Sequence, residues 1–453
     1  MKELLSIRSI GENNSIRDES LFTGHAYSIS SPRSVDEVCQ IVKYCSDNQI
    51  TITPHGGLTG INGAGAATNN HSMSLQNLSA VSYCDEDHTL WAQAGATFSD
   101  IETAVRKGSN MTYEFPASPT EKSATIGGAI SFDAHGLRSY KYGSVSCFVT
   151  EIEYCDYNGN LHHCNNTDDT FHELLSSEGM FAIITGVRLR TVPISKYLWG
   201  LMFFFPDSIC ATGFADAIST VSNISVFEFC DSKSFELIHE FQSQISSISR
   251  IPELPSINQA CIYLELESDS EEELEETAES LLSLTEDFHG DPDNIWTLEG
   301  DAVESLRLLR HAISECINLK IACFHAHDVQ IKKLSCSCFF PDKNRTELIE
   351  YYQKSLEQHH LSGVIFGHIG SGKPYVNFLP NSTDEYHKAR KLIEIWSKDA
   401  FESGGYAFSE CGVGKLYNDI FFNVAPIELL NKKIKLKQKW DPYSRFNPHN
   451  MLV

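Results

Sequence analysis

The chain has 453 residues, 42% apolar and 21% charged, with a formal net charge of -25. That length exceeds what one hydrophobic core usually serves, so two domains are expected, and the apolar content excludes a low-complexity disordered chain. The acidic balance, without any concentration of Lys and Arg, excludes nucleic acid as a partner; no run of about 18 apolar residues could span a bilayer and no signal-peptide core opens the chain, so a cytoplasmic location is expected.

In chain order, the first clear element is a helix after "SPRS", with Val35, Val38, Ile41, Val42 and Cys45 at helical spacing. The 14 cysteines run from Cys39 to Cys411 without a C-x-x-C pair, which predicts buried free thiols; Cys336 and Cys338 share one face of a strand-like stretch. The short strand "ITITP" leads into "HGGLTGINGAGA", residues 55–66, with Gly56, Gly57, Gly60, Gly63 and Gly65. Such a loop is either plain flexible chain or a nest of free amides for anionic oxygen. It has neither the G-K-[ST] ending of a Walker loop nor the G-x-G-x-x-G fingerprint of a nicotinamide site.

"WAQAGATFSDIETAVRKG" then reads as a strand feeding a helix, followed by the small-residue segment "PASPTEKSATIGGAISFDAHGLRSYKYGS" at 116–144. A hairpin, "VTEIEYCDYNGNLHHC", turns at Asn158-Gly159, and "SSEGMFAIITGVRLRTVP" ends the region with a Gly turn and a strand. Several backbone loops are thereby expected to converge on one long phosphate-bearing ligand.

The order of "PHGGLTGING", "AGATFSDIETAV", "PASPTEKSATIGGAI", "YGS" and "SEGMFAIIT" resembles the FAD-binding domain of the vanillyl-alcohol oxidase and p-cresol methylhydroxylase superfamily, over residues 25–193. The resemblance implies an α+β fold with two subdomains holding FAD. It places Pro54, His55, Gly56, Gly57, Leu58, Thr59, Gly60, Ile61 and Asn62 at the diphosphate loop. Pro116, Ser118, Thr125, Ile126, Gly127, Gly128, Ser131 and Tyr142 would run beside the flavin and ribityl chain, with Glu178, Gly179 and Ile183 towards the adenosine. Where covalently flavinylated members carry a His, this chain has Leu58, and His55 lies off that position, so FAD held without a covalent link is implied.

From about residue 196 the pattern changes. "ACIYLELESDSEEELEETAESLLSLTEDF" reads as a strand, an acidic helix start and an amphipathic helix with Leu274, Leu281 and Leu282 on one face, and "AHDVQIKKLSCSCFFPDKNRTELIEYYQKSL" repeats a strand and helix. Such units make an antiparallel sheet covered by helices, a ferredoxin-like cap. This region resembles the C-terminal FAD-linked oxidase domain of D-lactate dehydrogenases, the glycolate oxidase flavoprotein subunit and D-2-hydroxyglutarate dehydrogenases. The carrying stretches are "LRLLRHAIS", "HDVQIKKLS", "GHIGSGKPYVN", "SECGVGK" and "WDPYSRFNP".

The resemblance implies that Arg310 clamps a substrate carboxylate and that Asn447 lies near the flavin. In the family, "GHIGSGKPYVN" corresponds to G-H-x-G-D-G-N-x-H-x-N and "SECGVGK" to S-E-H-G-x-G, whose imidazoles and Glu hold a divalent metal and whose last His is the base. Here His368 and Glu410 remain as metal candidates, but Tyr375 and Cys411 stand at the second ligand and base positions. A phenol with a pKa near 10 is a poor ligand at neutral pH, so no metal is assigned and a metal-poor site is expected. Lys373, with Arg310 and Lys332 or Lys333, could neutralise an anionic substrate, or Lys373 is a surface lysine; His368 is a packed side chain or, with Tyr375 as the alternative, the proton acceptor. The 366–380 turn is expected beside the flavin, facing Glu410 and Cys411.

The expectation is therefore an FAD-binding domain at 1–195, a cap at 196–405 and a tail at 406–453 returning to the first domain. Its activity would be oxidation of a small hydroxy acid or related anionic alcohol by hydride transfer to flavin N5, with an unidentified electron acceptor. Oxidation of a sugar or non-carboxylate alcohol, and a catalytically silent flavin subunit of a redox complex, are the alternatives; a homodimer or a redox complex is left open.

Overall fold

The computed structural model describes residues 7–9, 15–245, 248 and 254–452. It separates into two compact units, one from Met1–Gly136, Ser144–Ile194 and Glu410–Val453, the other from Leu137–Gly143 and Ser195–Ser409.

In the first unit, β1 (Arg8–Ser9), β2 (Ser15–Arg17), β3 (Thr23–Ser30), β4 (Ile52–His55) and β5 (Thr68–Ser74) form one sheet in the order β1-β3-β5-β4, with β2 also on β3. β5 runs parallel to β3 and β4. β6 (Val81–Cys84) and β7 (Thr89–Gln93) enter a second sheet, β8 (Tyr113–Glu114) pairs with β12 (Val192–Pro193), and β9 (Val149–Cys155), β10 (Leu161–Asn165) and β11 (Ile183–Arg190) complete the second sheet as β10-β9-β11-β7-β6. Local chemistry sets the element ends. Ser34 caps the helix Val35–Asp47 by accepting from the Glu37 amide, and Val38, Ile41, Val42 and Cys45 are its buried face. Thr97 and Asp100 form a capping box on the helix Phe98–Gly108. In the β9–β10 turn Gly159 has φ 81°, while Asp156 Oδ1 accepts the amides of Asn158 and Asn160.

The second unit is built on one antiparallel sheet of β13 (Tyr197–Phe205), β14 (Ile224–Cys230), β15 (Ala260–Ser268), β16 (Ile295–Glu299), β17 (Leu334–Cys336), β18 (Gly363–His368) and β19 (Lys373–Phe378). Its order is β16-β13-β15-β14-β18-β19-β17. With the helices Ser208–Ala217 and Glu271–Thr285 as crossovers, the first four strands have the ferredoxin-like arrangement, and β18, β19 and β17 extend it beyond β14. Leu274 and Leu281 are buried as their spacing predicts, but Leu282 is 36% exposed: the helix's inner stripe continues through Ala278 and Thr285 instead. The segment Leu137–Gly143 joins this unit because Arg138 and Lys141 pair with Glu267 of β15 at 2.5 and 2.8 Å.

Among the described residues no helix is long and apolar enough to cross a membrane. All 14 cysteines are free thiols; Cys147 and Cys323 are exposed, while Cys336 and Cys338 are buried with their sulfurs 3.5 Å apart.

Candidate functional site

In the first unit the chain leaves β4 at His55 and enters the Gly loop. Burial lowers the pKa of His55, whose Nδ1 lies 3.2 Å from the Gly56 carbonyl. The N–H groups of Gly56 through Ile61 donate to none of the described residues. Six successive amides unengaged among the described residues, with Leu58 held at φ 58° among them, are donors of the kind phosphate oxygens accept. Gly56 and Gly57 have a second reason to lack side chains. A Cβ on Gly56 would lie 2.0 Å from Thr125 Oγ1, and one on Gly57 would lie 2.8 Å from the Ser123 carbonyl. The two small-residue motifs are thus pressed together.

On the second motif, Pro116 and Ser118 are buried, and Ser118 Oγ has no hydrogen-bond partner among the described residues. The amides of Ile126 and Gly127 donate to Ala96 and Ala94, and Ser131 Oγ donates to the Gly127 carbonyl at 2.8 Å, which fixes the short helix Ile126–Phe132. Gly128 and Thr125 lie at the start of that helix. The free amides, the close-packed glycines and the unpartnered Ser118 hydroxyl fit a long phosphate-bearing cofactor.

The tail is fastened to this loop system by buried polar groups. Asn62 Nδ2 donates to the Cys411 carbonyl at 2.7 Å, and its Oδ1 accepts the Ala64 amide. Glu178 accepts the amides of Val413 and Gly414, both at 2.8 Å, and a bond from Asn450; burial nevertheless raises its pKa. Gly179 has φ 70° and packs against Pro54, and Ile183 is buried in β11. Lys415 donates to the carbonyls of Ala64 and Ala66 and to Asn447 Oδ1; burial pushes its pKa down to about 7. Asp18 accepts the Gly63 amide at 2.6 Å and is raised to about 6 by burial. The side chains of Asn62, Glu178 and Asn447 are therefore committed to holding loop and tail together. Cys411 is buried, and Glu410, 1% exposed in its side chain, lies with Oε2 3.3 Å from His135 Nδ1. His135 was not singled out from sequence, although it stands inside the quoted "SFDAHGLRS".

The second unit holds the other cluster. The register Phe229↔Gly367 and Cys230↔Phe366 sets β14 against β18, bringing Glu228 beside His368. Glu228 Oε1 lies 2.5 Å from His368 Nδ1, and its Oε2 accepts from Arg310 Nε at 2.8 Å. All three side chains are buried. Burial alone would raise the Glu228 pKa, but His368 and Arg310 outweigh it and hold the carboxyl below its usual range. Arg310 comes from the helix Glu304–His327, and its guanidinium stacks 5.0 Å over the Phe366 ring. Its Nη1 and Nη2 make no hydrogen bond to any described residue. Gly367, at φ 112°, lets the Tyr375 ring pack close against the backbone: a Cβ there would lie 2.8 Å from that ring and 3.7 Å from Arg310 Nη2. The Tyr375 and His368 rings meet edge to face at 5.9 Å.

Four other cations are differently placed. Arg307, one turn earlier, is bound through Nε and Nη2 to both oxygens of Glu265 at 2.7 and 2.6 Å, and Tyr263 donates to the same carboxylate. Lys373 lies 5.5 Å over the Tyr406 ring, and Lys333 donates to Asn318 at 2.7 Å. Lys332 sits 5.8 Å over Tyr386 and is lowered in pKa by burial. Tyr142 lies in the segment that joins this unit, its hydroxyl accepting from Arg138 at 3.2 Å. Among the described residues no group of three or more His, Cys, Asp and Glu is placed to hold a metal ion.

A model of the FAD binding domain matches residues 28–165, and one of the C-terminal domain of FAD linked oxidases matches residues 201–451. The chain is 26% identical to the mitochondrial D-2-hydroxyglutarate dehydrogenase of Arabidopsis thaliana, covering 98% of this chain and 80% of that one. It is 23% identical to a D-lactate dehydrogenase of Anaerostipes hadrus over 92% of this chain and 87% of that protein. With the glycolate oxidase subunit GlcD of Bacillus subtilis the identity is 24%, over 94% and 88%. An alkyldihydroxyacetonephosphate synthase structure matches the fold at a TM-score of 0.66 and 15% identity, over 94% of this chain and 77% of that one. The chain belongs to the FAD-linked oxidases and is an FAD-dependent oxidoreductase.

Proposed function

We propose that this protein oxidises a small 2-hydroxy acid of the lactate or glycolate kind, and that Arg310 binds the acid's carboxylate. The observation that carries this is a buried guanidinium with one nitrogen engaged by Glu228 and both terminal nitrogens available. A planar pair of N–H donors matches a carboxylate bidentately, and such pairing offsets the cost of burying both charges. The names of the relatives, which act on D-lactate, glycolate and D-2-hydroxyglutarate, support the same class.

Within this reading the Gly56–Ile61 amides hold the FAD diphosphate, and Ser118 and the 125–128 segment lie along the rest of the cofactor. Leu58 offers no nucleophile for a covalent link, so the cofactor is held by these contacts alone. Bound FAD supplies the hydride acceptor. Arg310 orients the acid by its carboxylate, and His368 takes the hydroxyl proton; a neutral imidazole has a lone pair to accept it, whereas a phenol that keeps its own proton does not. A separate acceptor then reoxidises the protein.

Binding of the 2-oxo acid product, followed by the change it causes in the flavin absorption spectrum, tests the assignment. The unaltered protein should bind with saturation, and Arg310→Lys should weaken binding by about 30-fold, the loss of roughly 2 kcal/mol in a charge-assisted pair. Equal affinity in the two proteins would remove Arg310 from the site.

A further inference from the structure

Resting on the reading of Arg310 and His368 just given, we infer that Glu228 is a positioning residue: it fixes the His368 proton on Nδ1 and turns the Arg310 guanidinium so that its terminal nitrogens are presented to the acid.

The argument begins with which atoms meet. Glu228 uses different oxygens for its two partners, Oε1 towards His368 Nδ1 at 2.5 Å and Oε2 towards Arg310 Nε at 2.8 Å. An ionised carboxylate accepts hydrogen bonds and donates none. Nδ1 must therefore carry a hydrogen, and a neutral ring so placed has its lone pair on Nε2, the form a proton acceptor needs. The same carboxylate binds the Arg310 side through Nε, which leaves the Nη1–Nη2 edge for a second, planar anion. One buried carboxylate thus sets the tautomer of the group that receives the proton and the orientation of the group that holds the substrate. The neighbouring Glu265 shows the contrasting arrangement, occupying two nitrogens of Arg307 and accepting from Tyr263.

Glu228→Gln separates these effects. Arg310 Nε–H can only donate, so the glutamine oxygen stays on Arg310 and its NH2 turns to His368 Nδ1. The ring proton is then driven to Nε2. We expect kcat to fall by about 100-fold or more, within the range of a lost general base or an inverted tautomer, with KM for the acid changed less than about 3-fold. Nitrogen-15 NMR of the histidine side chains, with the His368 signal identified by its loss in His368→Gln, gives a readout independent of turnover. Nδ1–H in the unaltered protein and Nε2–H in Glu228→Gln support the inference; the same tautomer in both, or an unchanged kcat, overturns it. Should the glutamine variant fail to fold, Glu228→Asp retains an acceptor-only group, and Nε2–H in that protein overturns the inference equally. Failure of the underlying reading would be separate: Arg310→Lys would leave reduction by acids unchanged whatever the His368 tautomer.

Discussion

Arg307 and Arg310 lie one turn apart on the same helix, yet both oxygens of Glu265 occupy Arg307 while Glu228 takes only Nε of Arg310. Neighbouring guanidiniums of the same sequence motif therefore have different duties. Arg307→Leu should leave a buried Glu265 without its cation and lower stability by about 3 kcal/mol, seen as a reduced Tm, with KM for the acid little changed in the protein that does fold. Arg310→Lys should do the reverse, raising KM with a smaller effect on Tm. A matching rise in KM for both variants would contradict the distinction.

The fastening of the tail gives a pH prediction. The Lys415 pKa is lowered to about 7 by burial, so between pH 7 and about 10.5 the unfolded chain binds more protons than the folded one. This group's contribution to stability is present above the unfolded pKa and lost as pH falls through 7. Thermal unfolding at pH 7 and pH 10 should show the unaltered protein gaining stability relative to Lys415→Met on going to the higher pH. A difference between the two proteins that does not change with pH would show that Lys415 keeps its ordinary pKa.

His135 and Glu410 should be energetically coupled, since their side chains, 15% and 1% exposed, approach to 3.3 Å. A double-mutant cycle with His135→Asn and Glu410→Gln, read by unfolding, is expected to give a coupling of about 1 kcal/mol or more. Additive effects would mean that the 3.3 Å approach contributes nothing.

Flavin should leave the chain when the protein is precipitated by acid or heat. Leu58 folds back towards Gly65, its Cδ2 only 2.8 Å from where a Gly65 Cβ would lie. Flavin that sediments with the denatured chain would refute non-covalent binding.

Elemental analysis of protein purified without chelator should find no stoichiometric divalent ion, and chelator should leave flavin reduction unchanged. The ground is donor chemistry: a phenol, Tyr375, and a thiol, Cys411, stand where the resemblance would need imidazoles. A bound metal whose removal abolishes reduction would contradict this.

Much of the fold was legible because its signals are local. The Val35–Asp47 stripe, the β9–β10 turn and the Gly loop each lie within a short window whose periodicity or glycine content is unambiguous. Glu228 was not legible. It stands in "ISVFEFC", every residue of which is buried, on the same strand face as Val226 and Cys230. Its partners are 82 and 140 residues away, so only the folded sheet and helix reveal its role. The only available signal was a lone acid within an apolar strand. The glycine loop reads from sequence as flexible chain or as a nest of amides, and neither reading shows that Gly56 and Gly57 also make way for Thr125 and Ser123. Arg138 and Lys141 carried no sign that Glu267 would draw their segment into the second unit.

Anaerobic titration of the flavin absorbance with a panel of small 2-hydroxy acids and sugars tests the central claim most directly. The account predicts bleaching by one or more monocarboxylate hydroxy acids, lost or strongly slowed in Arg310→Lys, and none by neutral sugars. Bleaching by a neutral sugar or alcohol that is indifferent to Arg310, or by nothing in the panel, would contradict it.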